Sequence, residues 1–180
     1  MRPRGAAKPR LRRTRIAPGS RSNSVVWAPW RIGYILEASK QSGCFLCSRL
    51  AEAADRDNLI LHRAPLCFTV MNLYPYNNGH LMVAPNRHVA RLSDLTTEES
   101  AELMRWAAKW EVALRARLQV DGLNLGLNLG RCAGAGLETH LHLHIVPRWN
   151  GDSNFMPVVA ETKVISESLF ATYDKLVGAV

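Results

Sequence analysis

Residues 139–149 read THLHLHIVPRW, and their alternation admits one kind of backbone. Three of the chain's six histidines are placed at every second position, with aliphatic residues between them. A helical period would scatter them around an axis, whereas a strand sends successive side chains to opposite faces. The run therefore predicts a strand with His140, His142 and His144 along one face. Leu141, Leu143 and Ile145 line the other and can enter a core. At a rise of about 3.3 Å per residue, same-face neighbours stand roughly 6.5 to 7 Å apart, a row of imidazoles on a rigid support.

The rest of the chain supplies partners for that strand. NLILH (58–62), LCFTVMN (66–72) and GHLMVAP (79–85) read as strands, and the YPYNNG before the last is turn chemistry. Their short connections favour antiparallel pairing. Thr96 with Glu99 three residues on is a capping box. It opens a long helix whose apolar face carries Leu103, Ala107, Trp110, Leu114 and Leu118. DGLNLGLNLG returns to strand, with Leu123, Leu125, Leu127 and Leu129 facing one way and Asn124, Gly126, Asn128 and Gly130 the other. After the histidine strand come FMPVV (155–159) and an amphipathic helix over 167–178. VVWAPWRIGYILEASK (25–40) reads as an arm that packs on the body and enters a short helix. The order predicts an α+β fold: an antiparallel sheet with one long central helix and a C-terminal helix.

A chain of 180 residues suits one domain, and its charge is unevenly placed. Of the net +8, all the excess lies in residues 1–21, which hold seven Arg and one Lys and no acid; the remainder carries 15 basic and 15 acidic residues. Residues 1–23 are thus expected to be a basic, disordered tail and 24–180 the folded domain. Nucleic-acid binding through the tail is a possible use of this charge, though not the favoured one. No apolar run approaches the ~18 residues of a membrane span and no signal-peptide core follows the start, so no membrane partner and a cytoplasmic location are expected. The four cysteines, Cys44, Cys47, Cys67 and Cys132, are then not a disulfide framework. Cys67 reads as an apolar filler of a buried strand. Cys132 lies in a glycine-rich loop and carries no assigned role.

Two readings of the histidines stay open on the residues alone. A strand pair at i and i+2 can share a zinc with a vacant position for water. The other reading comes from NLGRCAGAGLET, just upstream, with Asn128, Gly130, Gly134 and Gly136. Glycines let backbone N–H groups approach an anion, though this loop lacks the G-K-[ST] ending of a Walker A loop. A glycine loop that feeds an HxHxH strand sets phosphate-binding amides beside imidazole nucleophiles. Cys44-Phe-Leu-Cys47 likewise reads either as a redox pair, without the strand expected before it, or as two thiolates of a zinc site.

The run HLHLHIV resembles the signature of the histidine triad (HIT) superfamily of nucleotide hydrolases and transferases. The similarity spans about 25–178. WAPWRIGYI, NLYPYNNGHLMVAPNRH, GLNLGRCAGAG and HIVPRWNGDSNF are most similar to the bacterial diadenosine tetraphosphate phosphorylase-like branch, as is the longer motif that ends at Trp149.

The resemblance implies that His142 attacks the α-phosphorus of a nucleotide and forms a nucleotidyl-histidine, which a second nucleophile cleaves. It implies that His144 and the amides of Gly130, Gly134 and Gly136 hold phosphate oxygens, that Asn72 binds the ribose and that Asn128 contacts the α-phosphate. Arg148 and Lys163 are candidates for distal phosphates, and Trp149 for stacking on a base or closing a subunit interface. By the same resemblance Cys44, Cys47, His88 and His140 form a closed, structural Zn2+ site, which commits His140 and removes the three-histidine metal centre. His80 is expected to pack at its turn, and His62 has no assigned role. The implied activity is nucleotidyl transfer from a dinucleoside polyphosphate to inorganic phosphate, by a homodimer or larger assembly. The alternatives are hydrolysis of similar nucleotides or phosphoramidates, and a zinc-stabilised nucleic-acid-binding module that uses the tail.

Overall fold

The computed structural model describes residues 43–152 and 165–180. The arm at 25–40, the FMPVV stretch at 155–159, the tail and Lys163 lie outside the described residues. The order within them is α1 (Phe45–Ala51), β1 (Ile60–Arg63), β2 (Cys67–Met71), β3 (Leu81–Pro85), α2 (Thr97–Leu118), β4 (Gly122–Leu127), β5 (Leu143–Arg148) and α3 (Leu169–Leu176). The five strands form one antiparallel sheet in the order β1-β2-β3-β5-β4. This is the expected α+β architecture. Among the described residues no helix is long and apolar enough to cross a membrane.

The helix α2 is made by its ends and its stripe. The Thr96 hydroxyl accepts from Glu99 N–H at 3.1 Å and the Glu99 carboxylate accepts from Thr96 N–H at 2.9 Å, a complete capping box. Leu103, Ala107, Trp110 and Leu114 are buried against the sheet, as the period requires. Trp110 is fully buried, and its indole N–H donates to the Thr69 hydroxyl of β2 at 2.8 Å. One bond thus satisfies two buried polar groups at the centre of the helix–sheet interface. The Tyr173 hydroxyl ties α3 to the sheet by donating to the Ile60 carbonyl at 3.1 Å.

Strand boundaries depart from the sequence pattern where the backbone turns. Leu59 takes φ +58°, so β1 begins at Ile60 rather than at Asn58. Gly79 takes φ +68° and delays β3 to Leu81, and Gly130, at φ +85°, lies past the end of β4. The histidine strand starts later than its alternation suggests. Hydrogen-bonded pairing begins at Leu143, opposite Leu127 on one side and Val83 on the other. His140 and His142 therefore precede the ladder, on an unpaired lead-in segment that follows a bend at 138–140. That segment is held by the Leu141 N–H, which donates to the Val89 carbonyl at 2.7 Å.

Candidate active site and metal centre

All three triad histidines are buried, which a solvated strand face would not produce. Each has its ring fixed by a different partner. His142 Nδ1 lies 2.8 Å from the His140 carbonyl, an acceptor only, so Nδ1 carries the proton. Its Nε2 is left with the lone pair. Burial lowers the His142 pKa, outweighing the raising effect of the His140 carbonyl, and so favours the neutral, nucleophilic ring.

His144 is oriented by a residue that the sequence pattern had assigned to packing. The Tyr76 N–H donates to His80 Nδ1 at 3.0 Å, so the His80 proton is on Nε2. That nitrogen lies 2.9 Å from His144 Nδ1, which must accept. The His144 proton then sits on Nε2. The Asn128 Nδ2 lies 3.2 Å from His144 Nε2; two donors cannot bond each other, so with the proton on the ring the amide turns over and its oxygen accepts. His80 is fully buried, and the chain of bonds fixes one tautomer at each step. Period two in GHLMVAP puts His80 on the face of Met82, but only the pairing of Met82 with His144 in the folded sheet brings the two histidines together.

The other predicted residues are distributed as follows. Asn72, Gly134 and Gly136 line one narrow cleft with His142 and His144, closed by Phe45 and Tyr74. Asn72 also accepts from the Tyr74 N–H at 2.9 Å, so it caps the turn and borders the cleft at once. Gly130 lies at the loop's entry. Within the loop, the amides of Ala133, Gly134 and Ala135 already donate to the carbonyls of Gly130 and Arg131. Those three are committed to the turn, which narrows the set available to an anion.

Arg148 lies beyond His144 on β5, where its guanidinium donates to Asp152 at 2.5 and 2.8 Å and to the Asn124 side chain at 3.0 Å. Asp152 already offsets its charge. Trp149 does not reach the cleft: its indole N–H donates to the Leu118 carbonyl at 3.2 Å, at the end of α2. Cys67 is buried in β2, and Cys132 is exposed on the loop. The His62 ring lies on Trp106, centroids 3.8 Å apart.

A second cluster adjoins the triad. The side-chain donors of Cys44, Cys47, His88 and His140 all lie within 4.8 Å of one another. Cys44 and Cys47 Sγ stand 3.2 and 3.4 Å from His140 Nδ1, and Cys47 Sγ stands 3.3 Å from His88 Nδ1. A tetrahedron with Zn–S near 2.3 Å and Zn–N near 2.05 Å has an S···N edge of about 3.5 Å. His140 Nε2–H donates to the Pro85 carbonyl at 2.8 Å, which leaves Nδ1 as the lone pair aimed at the thiols. Burial, with the Cys44 thiol beside it, pushes the Cys47 thiol up to about 11. A cation in this place would reverse that, since a coordinating thiol gives up its proton. The donor set fits a metal with no vacant position.

A model of the HIT domain matches residues 54–151. The chain is 42% identical over 151 residues to AP-4-A phosphorylase of Mycobacterium tuberculosis, covering 80% of this chain and 77% of that protein. It is 36% identical over 93 residues to bis(5'-adenosyl)-triphosphatase of Dictyostelium discoideum, covering 52% of this chain and 62% of the other. Among solved structures, a Zn-bound histidine triad family protein from Mycobacterium smegmatis superposes with a TM-score of 0.55 at 21% identity, over 82% of this chain and 91% of that one. The family model covers the sheet and the triad alike, and the chain belongs to the HIT family.

Proposed function

We propose that the protein is a nucleotidyltransferase that cleaves dinucleoside polyphosphates by phosphorolysis, converting diadenosine tetraphosphate and phosphate to ATP and ADP. The observation that carries the reading is the state of His142: buried, neutral, its Nδ1 proton committed, and its Nε2 lone pair left beside His144. In the first step a bond forms from Nε2 to the α-phosphorus. The bond to the bridging oxygen breaks, and ATP departs with its electron pair. The ring keeps its Nδ1 proton and becomes cationic, so the His140 carbonyl strengthens its bond as the charge develops. When substrate binds, His144 Nε2–H passes from the Asn128 amide to a phosphate oxygen, with that amide beside it. Asn72 holds the ribose. In the second step a phosphate oxygen attacks the phosphorus, the N–P bond breaks, and ADP leaves while the ring recovers its lone pair.

The choice of phosphate over water is supported by the 42% identity to the mycobacterial phosphorylase. Similarity to a triphosphatase keeps hydrolysis as the second reading. Incubation with diadenosine tetraphosphate, with and without phosphate, separates them. Phosphorolysis yields ADP and ATP and needs phosphate. AMP as the main product at millimolar phosphate would replace this reading with hydrolysis. Salt-dependent RNA binding that survived His142→Ala, in a protein without turnover, would replace both with a nucleic-acid role for the basic tail.

Zinc on Cys44, Cys47, His88 and His140 belongs to the same proposal, as a structural ion that stiffens the lead-in to the nucleophile. So does a homodimer or larger assembly, which the position of β4 at the edge of the sheet, among the described residues, supports.

A further inference from the structure

The cleft that holds His142 is continued by a groove of about 390 Å³ on the face of β4 and β5 that carries His144. The two share Tyr76 and His144. From His144 the groove runs past Val146 to Arg148, with Asn124 and Gly126 of β4 alongside in register: Gly126 opposite His144, Asn124 opposite Val146. At about 3.3 Å per residue the run from His144 to Arg148 spans about 13 Å.

Three observations give this groove an occupant. The first is direction. Displacement at phosphorus sets nucleophile and leaving group on opposite sides, roughly in line. The same-face order along the chain is His142, His144, Val146, Arg148, so a group expelled from a phosphorus held by His142 and His144 points down the groove. The second is Gly126. A glycine weakens a strand and often marks close approach of a ligand or another backbone. Here its φ lies outside the left-handed region, and an added Cβ would meet no atom of the described residues within 4 Å. Among the described residues neither backbone nor packing asks for glycine; what its missing side chain keeps clear is the groove beside His144.

The third is charge. Arg148 is matched by Asp152, so the far end presents a guanidinium–carboxylate pair, the Asn124 amide and the aliphatic Val146. That lining suits a sugar and base better than a phosphate.

We propose that this groove is the subsite for the departing nucleoside polyphosphate of a two-ended substrate. Its phosphates pass over His144 and Gly126, and its nucleoside lies against Asn124, Val146 and Arg148. The inference rests on the proposed nucleotidyl transfer and adds to it a reason why the enzyme selects a substrate with two nucleosides. It also reassigns Arg148 from a distal-phosphate ligand to the end wall of a nucleoside site.

The test compares kcat/KM for diadenosine tetraphosphate with that for adenosine 5′-phosphoramidate, which shares the adenylyl half and lacks the second nucleoside. The ratio is measured in the full-length protein and in two variants, Gly126→Val and Asn124→Leu, with the oligomeric state followed by light scattering. The expected result is a fall in the ratio of roughly tenfold or more in each variant. General damage to the fold or to His142 lowers both rates and leaves the ratio where it was, so an unchanged ratio overturns the subsite. A ratio that falls only together with a change in oligomeric state assigns the groove to a second subunit and overturns it too. Wild-type protein that cleaves neither compound removes the underlying reading, a result distinct from an unchanged ratio in active variants.

Discussion

His142 and His80 show how differently two histidines of one site are written in the sequence. His142 was legible because alternation with leucines defines its face and its neighbours. His80 was not, because its role depends on a contact 64 residues away in sequence, to His144. The same holds for Arg148, whose charge is taken up by Asp152 only once the chain has turned at Gly151. Two predictions belong to single residues. His142→Ala removes the covalent step and leaves Asn72 and His144 in place, so turnover should vanish while nucleotide binding stays within a few-fold. A variant that kept more than about a hundredth of wild-type kcat, a shortfall of roughly 2.7 kcal/mol, would end the covalent mechanism. His80→Leu takes away the donor that fixes the His144 tautomer and should lower kcat roughly tenfold, the rate equivalent of one hydrogen bond worth about 1.4 kcal/mol. His80→Gln, whose amide can donate in the same direction, should recover part of the loss. If both variants are equally impaired, His80 acts by filling space and the tautomer argument fails.

At the scale of elements, the histidine segment is two pieces: a paired strand from Leu143 and an unpaired lead-in that carries the nucleophile. Sequence alternation is the same in both, so it could not mark the seam. The lead-in is held at His140, a member of the Cys44–Cys47–His88–His140 cluster, and at Leu141, whose N–H is bound by Val89 next to His88. Metal removal should therefore loosen residues 139–142 before it loosens β5. Hydrogen exchange with and without a chelator reads this directly: the Leu141 amide should lose protection while those of Ile145 and Val146 keep theirs. Equal protection in both conditions would uncouple the metal from the nucleophile. A further element-scale effect belongs to α2. Glu99, buried at the helix start, is bound by the Arg87 guanidinium and the Thr96 amide, and the Arg87 bonds above all hold its pKa near about 2. A carboxylate lowered in the folded state stabilises fully above its unfolded value near 4.3, and that contribution fades as pH falls from about 4 to about 2. Urea midpoints measured across this window should fall less steeply in Glu99→Gln than in wild type. Parallel curves would show that Glu99 is not part of the acid response.

For the molecule as a whole, the sheet of the described residues has two edges, and they are built unlike each other. β1 is four residues long, with its register broken between Ile60 and His62 and Arg63 at its end, features that discourage pairing with another chain. β4 is six residues, Gly-Leu-Asn-Leu-Gly-Leu, with no charge and no proline, and Leu125 at its centre is 46% exposed. The leucines that predicted a strand here could not say that it would be an edge, because strand order is fixed by long-range pairing and not by local pattern. An edge so little protected pairs readily with a copy of itself. Two identical strands related by a twofold axis run antiparallel and continue the sheet across the interface. Self-association through β4 should therefore be strong at micromolar concentration, and Leu125→Lys should weaken it at least tenfold by setting a charge on each of two facing strands. Sedimentation of both proteins over a range of concentrations decides the matter. A monomeric wild type removes the assembly altogether, and a Leu125→Lys dimer as tight as wild type places the interface away from β4.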